Sequence, residues 1–170
     1  MAVTPRERLL PSLLDRLRDD APHERAEARE RRAFSMADLR RAVRRDLEYL
    51  FNTVCLESVT SLDAVPELRS SVVNYGLPAL SGNTPNATDR AVVRKRLRDA
   101  IVAFEPRILA DTLRVVLEEA GADGATAGSG EGSSMVFRIE GMLWGQPLPE
   151  ALFLRTEVDL DRGDVSISEG

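Results

Sequence analysis

Glu105, Pro106 and Arg107 put a carboxylate, a fixed backbone angle and a guanidinium side by side. Proline locks φ and donates no hydrogen bond, so the charged groups flanking it are held at a set relative angle. Arg107 then offers a planar donor fork suited to carboxylates and carbonyl oxygens, while Glu105 can accept from a partner or orient that fork. Two uses fit these residues: an internal pair that caps the helix ending at Phe104, or an anchor for a neighbouring protein. Catalytic chemistry is poorly provided for. One cysteine (Cys55) and one histidine (His23) cannot build a disulfide framework, a Cys/His zinc centre, or a Cys-His or Ser-His-Asp nucleophile. No metal site and no cofactor are expected. A glycoside hydrolase needs two carboxylates across a sugar, one of them kept protonated in a cleft. Any two of the 28 acids could be nominated, so their number decides nothing. Only Glu105 has a distinctive setting, and a guanidinium two residues away suits an ion pair better than a proton donor.

Charge narrows the partners. The net charge is -5, but residues 1–98 hold 18 basic groups against 14 acids, and residues 99–170 hold 5 against 14. A basic front (+4) and an acidic back (-9) fit head-to-tail assembly or docking between oppositely charged surfaces, and equally the plain solvation of two different surfaces. The densest basic patch is the row Arg90, Arg94 and Arg98 at helical spacing, joined by Lys95 and Arg96. It lacks interleaved aromatic residues, and the acidic half would repel phosphates, so no nucleic-acid partner is expected. No apolar run approaches the roughly 20 residues that span a bilayer, and no secretory leader is legible around Pro5. A cytoplasmic protein without membrane insertion is the expectation.

These groups must be held by a fold, and the pattern is α+β: N-terminal helices packed on a small C-terminal antiparallel sheet with hairpin connections. Leu9, Leu10, Leu13, Leu14 and Leu17 predict about two turns of amphipathic helix near residues 11–18, and Arg18 to Arg32 reads as a charged tether. Residues 1–33 are read as a docking segment with its tether, the other reading being a frayed start that folds back on its own core, and 34–170 as a single domain. Ser35 with Asp38 predicts a capped helix start, with Phe34 and Leu39 as its hydrophobic staple. The stripe Leu39, Val43, Leu47, Leu50, Phe51 and Val54 carries that helix to about residue 54, and Cys55 reads as a small core side chain.

Prolines and glycines limit any helix between Leu62 and Asn86 to a short piece around 66–73. A second long helix fits 88–104, with Val93, Leu97, Ala100, Ile101 and Phe104 as its apolar stripe; Glu105-Pro106 ends it. Residues 107–119 fit either a strand or a helix. Gly121 to Ser134 holds five of the eleven glycines without the Gly-Lys-Ser/Thr of a phosphate loop, and reads as a flexible hairpin loop. Alternation from Met135 to Leu143, from Leu152 to Leu160 and at Val165 and Ile167 predicts three strands, the last one an edge able to pair with another chain.

Arg45-Asp46-Leu47-Glu48-Tyr49-Leu50-Phe51-Asn52-Thr53, Pro66-Glu67-Leu68, Ser71-Val72-Val73-Asn74-Tyr75-Gly76-Leu77-Pro78, Phe104-Glu105-Pro106-Arg107, and Phe137-Arg138-Ile139-Glu140-Gly141 to Thr156-Glu157 follow one another in an order that resembles the TssE family. These are type VI secretion baseplate subunits, related to the wedge protein of contractile phage tails. The resemblance runs over roughly residues 9–168, and Leu13-Leu14-Asp15-Arg16-Leu17 looks like the start of TssE proteins, which favours secretion over a phage tail or phage-tail-like particle.

The resemblance implies a structural, non-enzymatic wedge component. It would sit with TssF and TssG, link to the hub and spike, and start polymerisation of the TssB/TssC sheath in a baseplate at the inner membrane. It assigns Glu105, Pro106 and Arg107 to holding wedge neighbours. It implies a strand-sharing contact with the sheath, and favours the strand reading of 107–119. Phage relatives have carried a lysozyme label, which makes a peptidoglycan-cleaving hydrolase the weaker alternative; with one tryptophan, Trp144, and two tyrosines, the chain offers few platforms for sugars.

Overall fold

The computed structural model describes residues 12–17, 23, 35–80, 87–118, 134–145 and 148–170. Most of the tether, Phe34 of the expected staple, and nearly all of the glycine-rich loop lie outside them. Among the described residues three α-helices precede a four-stranded antiparallel sheet, the α+β arrangement that the sequence predicts. The helices are α1 (Leu13–Leu17), α2 (Met36–Phe51) and α3 (Ala87–Phe104); the strands are β1 (Arg114–Glu118), β2 (Ser134–Leu143), β3 (Glu150–Asp159) and β4 (Val165–Glu169).

α2 starts where its cap demands. The Ser35 hydroxyl accepts from the Asp38 N–H at 3.2 Å, and the Asp38 carboxylate accepts from the Ser35 N–H at 3.0 Å, satisfying two donors that the helix cannot pair itself. Leu39, Val43, Leu47, Leu50 and Phe51 are buried along one face. The helix stops at Phe51, three residues before the stripe does. Asn52 caps it, with its N–H on the Glu48 carbonyl at 3.2 Å, and Val54 turns outward, exposed, to bridge Leu77 in parallel. Gly76 makes that crossing possible: its φ is +124°, and a Cβ would lie 2.3 Å from the Thr53 carbonyl oxygen. The short helical piece expected around 66–73 is a pair of 3-10 turns, Pro66–Ser70 and Val72–Asn74. Cys55 is buried, as expected of a small apolar side chain.

The sheet runs in chain order β1-β2-β3-β4, so among the described residues β1 and β4 are its edges. The ambiguous stretch resolves into both a turn and a strand. Residues 108–112 fold as an irregular connection held by Ile108 bridging Leu143, and strand pairing begins at Arg114 opposite Glu140. Met135, Phe137, Ile139 and Leu143 of β2, with Leu152, Leu154 and Val158 of β3, face a shared core with α2 and α3. At the β3–β4 turn the Asp159 side chain accepts from the Asp161 and Arg162 N–H groups, and Gly163 takes a φ of +79°.

Candidate functional site

The site grows from the end of α3. The Glu105 N–H makes a last helical bond to the Ile101 carbonyl at 2.8 Å, and Pro106, exposed at the apex, donates nothing further. The chain then pairs with the end of β2. The Trp144 N–H reaches the Arg107 carbonyl at 2.7 Å, and the Leu109 N–H reaches the Met142 carbonyl at 2.9 Å. The Thr112 hydroxyl locks this connection by donating to the Leu109 carbonyl at 2.7 Å and accepting the Met142 N–H at 2.9 Å. The turn is thus fixed to α3 on one side and to the sheet on the other.

Within that frame Glu105 and Arg107 close on each other. Glu105 is only 4 % exposed. Arg107 donates from Nε to its Oε1 at 2.6 Å and from Nη2 to its Oε2 at 2.5 Å, while the Arg107 backbone N–H adds a third bond to Oε1 at 3.1 Å. This is the bidentate fork that the residue types allow. The same Nη2 also donates to Asp46 Oδ2 of α2 at 2.6 Å. Asp46 in turn takes two bonds from Arg45, whose Nη1 reaches Asp15 of α1 at 2.5 Å. Five charges alternate in sign from Asp15 through Arg45, Asp46 and Arg107 to Glu105, joining α1, α2 and the turn.

The electrostatics follow from this chain. Burial works against the charge on Arg107, but hydrogen bonds and attraction from Glu105, then Asp46, outweigh it and hold the guanidinium well above its ordinary value. For Asp15 burial opposes ionisation, and the Arg45 and Ser12 hydrogen bonds overcome it, holding the carboxyl below its ordinary value. Tyr75 donates its hydroxyl to the Asp46 carbonyl at 3.3 Å and packs edge-on to Phe104 with ring centroids 5.3 Å apart. Burial, with Asp46 and Glu105 nearby, raises its phenol. Leu47, Leu50, Tyr49, Tyr75 and Phe104 wall a pocket of about 300 Å³ over this network, together with Ser12 and, from α1, Leu14.

Both carboxylates that line the pocket, Asp46 and Glu105, are tied to guanidinium groups, an arrangement suited to fixing backbone segments rather than to passing protons. Among the described residues no group of three or more His, Cys, Asp or Glu side chains could hold a metal, and no helix is long and apolar enough to cross a membrane.

The sequence placed Glu105 and Arg107 correctly at one turn, but it gave no role to Asp46 or Trp144. Asp46 lies 61 positions from Arg107, so no local spacing announces the pair. Trp144, 53 % exposed and bonded through its backbone to Arg107, stands beside the turn; its being the only tryptophan was the one available signal. Leu13, Leu14 and Leu17 of α1 are exposed, Leu14 beside the pocket, while Asp15 ties that short helix to Arg45. Arg90, Arg94 and Arg98 are exposed along α3, and Lys95 there pairs with Asp99 at 2.7 Å.

A comparison of the full sequence with curated proteins gives no match. A profile of the family described as baseplate wedge protein gp25 matches residues 37–148, which is more than half of the chain and includes α2, the Gly76 crossing, α3, the Glu105-Pro106-Arg107 turn and the first two strands. The chain belongs to the baseplate wedge protein gp25 family, the family of TssE, and is a baseplate component of the phage-tail or type VI secretion kind.

Proposed function

We propose that the chain is the TssE-type wedge subunit of a type VI secretion baseplate. It is a structural, non-enzymatic part that binds TssF and TssG, links to the hub and spike, and offers the TssB/TssC sheath a platform on which to begin polymerising. The observation that carries this reading is the half-solvated Glu105-Pro106-Arg107 turn inside a chain of the wedge family. A turn fixed to α2, α3 and β2 presents Pro106, the outer side of Arg107 and the exposed Trp144 together, and Arg and Trp side chains are what protein interfaces most often use as anchors. The start Leu13-Leu14-Asp15-Arg16-Leu17, similar to that of TssE proteins, favours secretion. The exposed leucines of α1 suit a docking role for residues 1–33, with 34–170 as the wedge domain. Assembly on the cytoplasmic side of the inner membrane belongs to the same reading.

The test is co-expression with TssF and TssG. The wild type is expected to co-purify as a stable wedge, whereas Pro106→Asp, a change at an exposed apex, is expected to fold normally and to lose at least tenfold in recovery of the complex, a loss of about 1.4 kcal/mol. Normal recovery of Pro106→Asp removes the turn from the interface. Gene neighbours encoding tail-tube and tail-wedge proteins in place of TssF and TssG would move the protein to a phage tail or a phage-tail-like particle. Peptidoglycan turnover by the purified chain would restore the hydrolase reading.

A further inference from the structure

The Asn52 side chain does two things at once. As the cap of α2 its Nδ2 donates to the Glu48 carbonyl at 2.8 Å, and the same amide spans to β4, where Nδ2 donates to the Val165 carbonyl at 2.8 Å and Oδ1 accepts the Val165 N–H at 2.8 Å. A donor and an acceptor set against one residue's C=O and N–H reproduce what a neighbouring strand would offer.

Which β4 groups face outward follows from the ladder. The Asp159 N–H bonds the Asp164 carbonyl at 2.9 Å and the Gly170 N–H bonds the Phe153 carbonyl at 3.1 Å. In the β3–β4 register these are hydrogen-bonded pairs, so by alternation Ser166 and Ser168 also face β3, whereas Val165, Ile167 and Glu169 turn their N–H and C=O groups away from it. Asn52 takes the first of these three residues. The outward groups of Ile167 and Glu169 meet no partner among the described residues. Exposure agrees: the inward-facing Phe137, Ile139, Leu152 and Leu154 of the central strands are 0 % exposed, while Ile167, whose side chain also faces the core, is 9 % exposed.

We propose that Asn52 is an edge stop that closes the first pairing position of β4 and so sets the register in which an added strand can extend the sheet. The strand partner is an extended segment that pairs with Ile167 and Glu169 only. Its identity as a sheath segment rests on the function proposed above; the stop itself does not. Without Asn52 the free edge lengthens from two outward residues to three, and unprotected edges pair with whatever strand they meet, a second copy of this chain included.

Amide hydrogen exchange resolved by NMR tests the stop on the free protein. In the wild type the Val165 amide, though outward, is expected to be protected like Ser166, with Ile167 and Glu169 exchanging faster. Asn52→Ala is expected to speed exchange at Val165 about tenfold more than at Ser166, as loss of one hydrogen bond implies. Sedimentation of Asn52→Ala should show self-association at lower concentration than the wild type, and adding Glu169→Pro, which removes an outward donor without touching the β3 ladder, should reverse it. Fast exchange at Val165 in the wild type, or equal changes at Val165 and Ser166 in the variant, overturns the proposal. With sheath subunits added, protection should appear at Ile167 and Glu169 and leave Val165 unchanged. If no protection appears there, the sheath reading fails while the free-protein result still decides the role of Asn52.

Discussion

The turn after α3 and the edge of β4 are opposites in how they treat polar groups. At the turn, Glu105 is buried and both of its oxygens are taken by Arg107, which is itself shared with Asp46. At the edge, a side chain covers one outward residue, and the backbone beyond it is left without a partner among the described residues. The first region is stiff and can be recognised only through the side chains and backbone it presents outside its closed pairs. The second is incomplete and can be recognised through backbone alone. The wedge and sheath partners proposed above would be met by such different chemistry that each could be lost independently.

The largest expected effect is at the turn. Arg107→Ala leaves Glu105 buried without its counter-charge, and breaking such a pair costs about 3 kcal/mol. A urea melt is expected to show a loss of that order, toward the low end because Arg107 is partly solvated; a loss below 0.5 kcal/mol would mean that water already satisfies Glu105. For this reason Arg107→Ala is a poor probe of partner binding, and Pro106→Asp a better one. Next comes Asn52→Ala, which removes a helix cap and the edge stop together and is expected to cost about 1 kcal/mol in the same melt.

Glu169→Pro should leave stability within about 0.5 kcal/mol of wild type and leave wedge assembly intact, while sheath assembly falls. Proline at Ile167 is less informative, because that side chain is part of the core. If Glu169→Pro lowers wedge and sheath assembly equally, the two regions are not independent.

The smallest effect is on pH. Arg45 favours the ionised form of Asp15 in the folded chain, so this tie contributes fully above the ordinary carboxyl value of 3.8 and is lost as pH falls through the lower folded value. Hydrogen exchange over residues 13–17 is expected to accelerate in that acid window before it does at the turn. Simultaneous loss would make α1 part of the same cooperative unit.

How much of this could be read from the sequence depends on the range of each interaction. α2 and α3 were legible because periodic burial repeats every turn, as Leu39, Val43, Leu47 and Val93, Leu97, Ile101 do. The same signal overran at Val54, since an apolar residue past a helix end continues the count although the chain has turned away. Residues 107–119 were ambiguous because two structures fall within 107–118: Leu109 belongs to a turn bonded to Met142, and only from Arg114 does alternation mean a strand. The Glu105–Arg107 pair was legible as a possibility because it is local. Its Asp46 partner and the Asn52–Val165 contact, 113 positions apart, depend on how α2 lies across the sheet, which no spacing encodes.

That placement of α2 has a mechanical consequence. Arg40 near its start is paired with Glu150 at the beginning of β3, and Asn52 at its end is fastened to Val165 at the beginning of β4. The helix therefore works as a diagonal brace, pinned to the plate of strands at both ends and to the α3 turn in between through Asp46. A braced plate resists shear and twist, so a push delivered at one face rotates the whole body instead of bending it. In a particle that contracts, such a part can change its orientation without changing its shape.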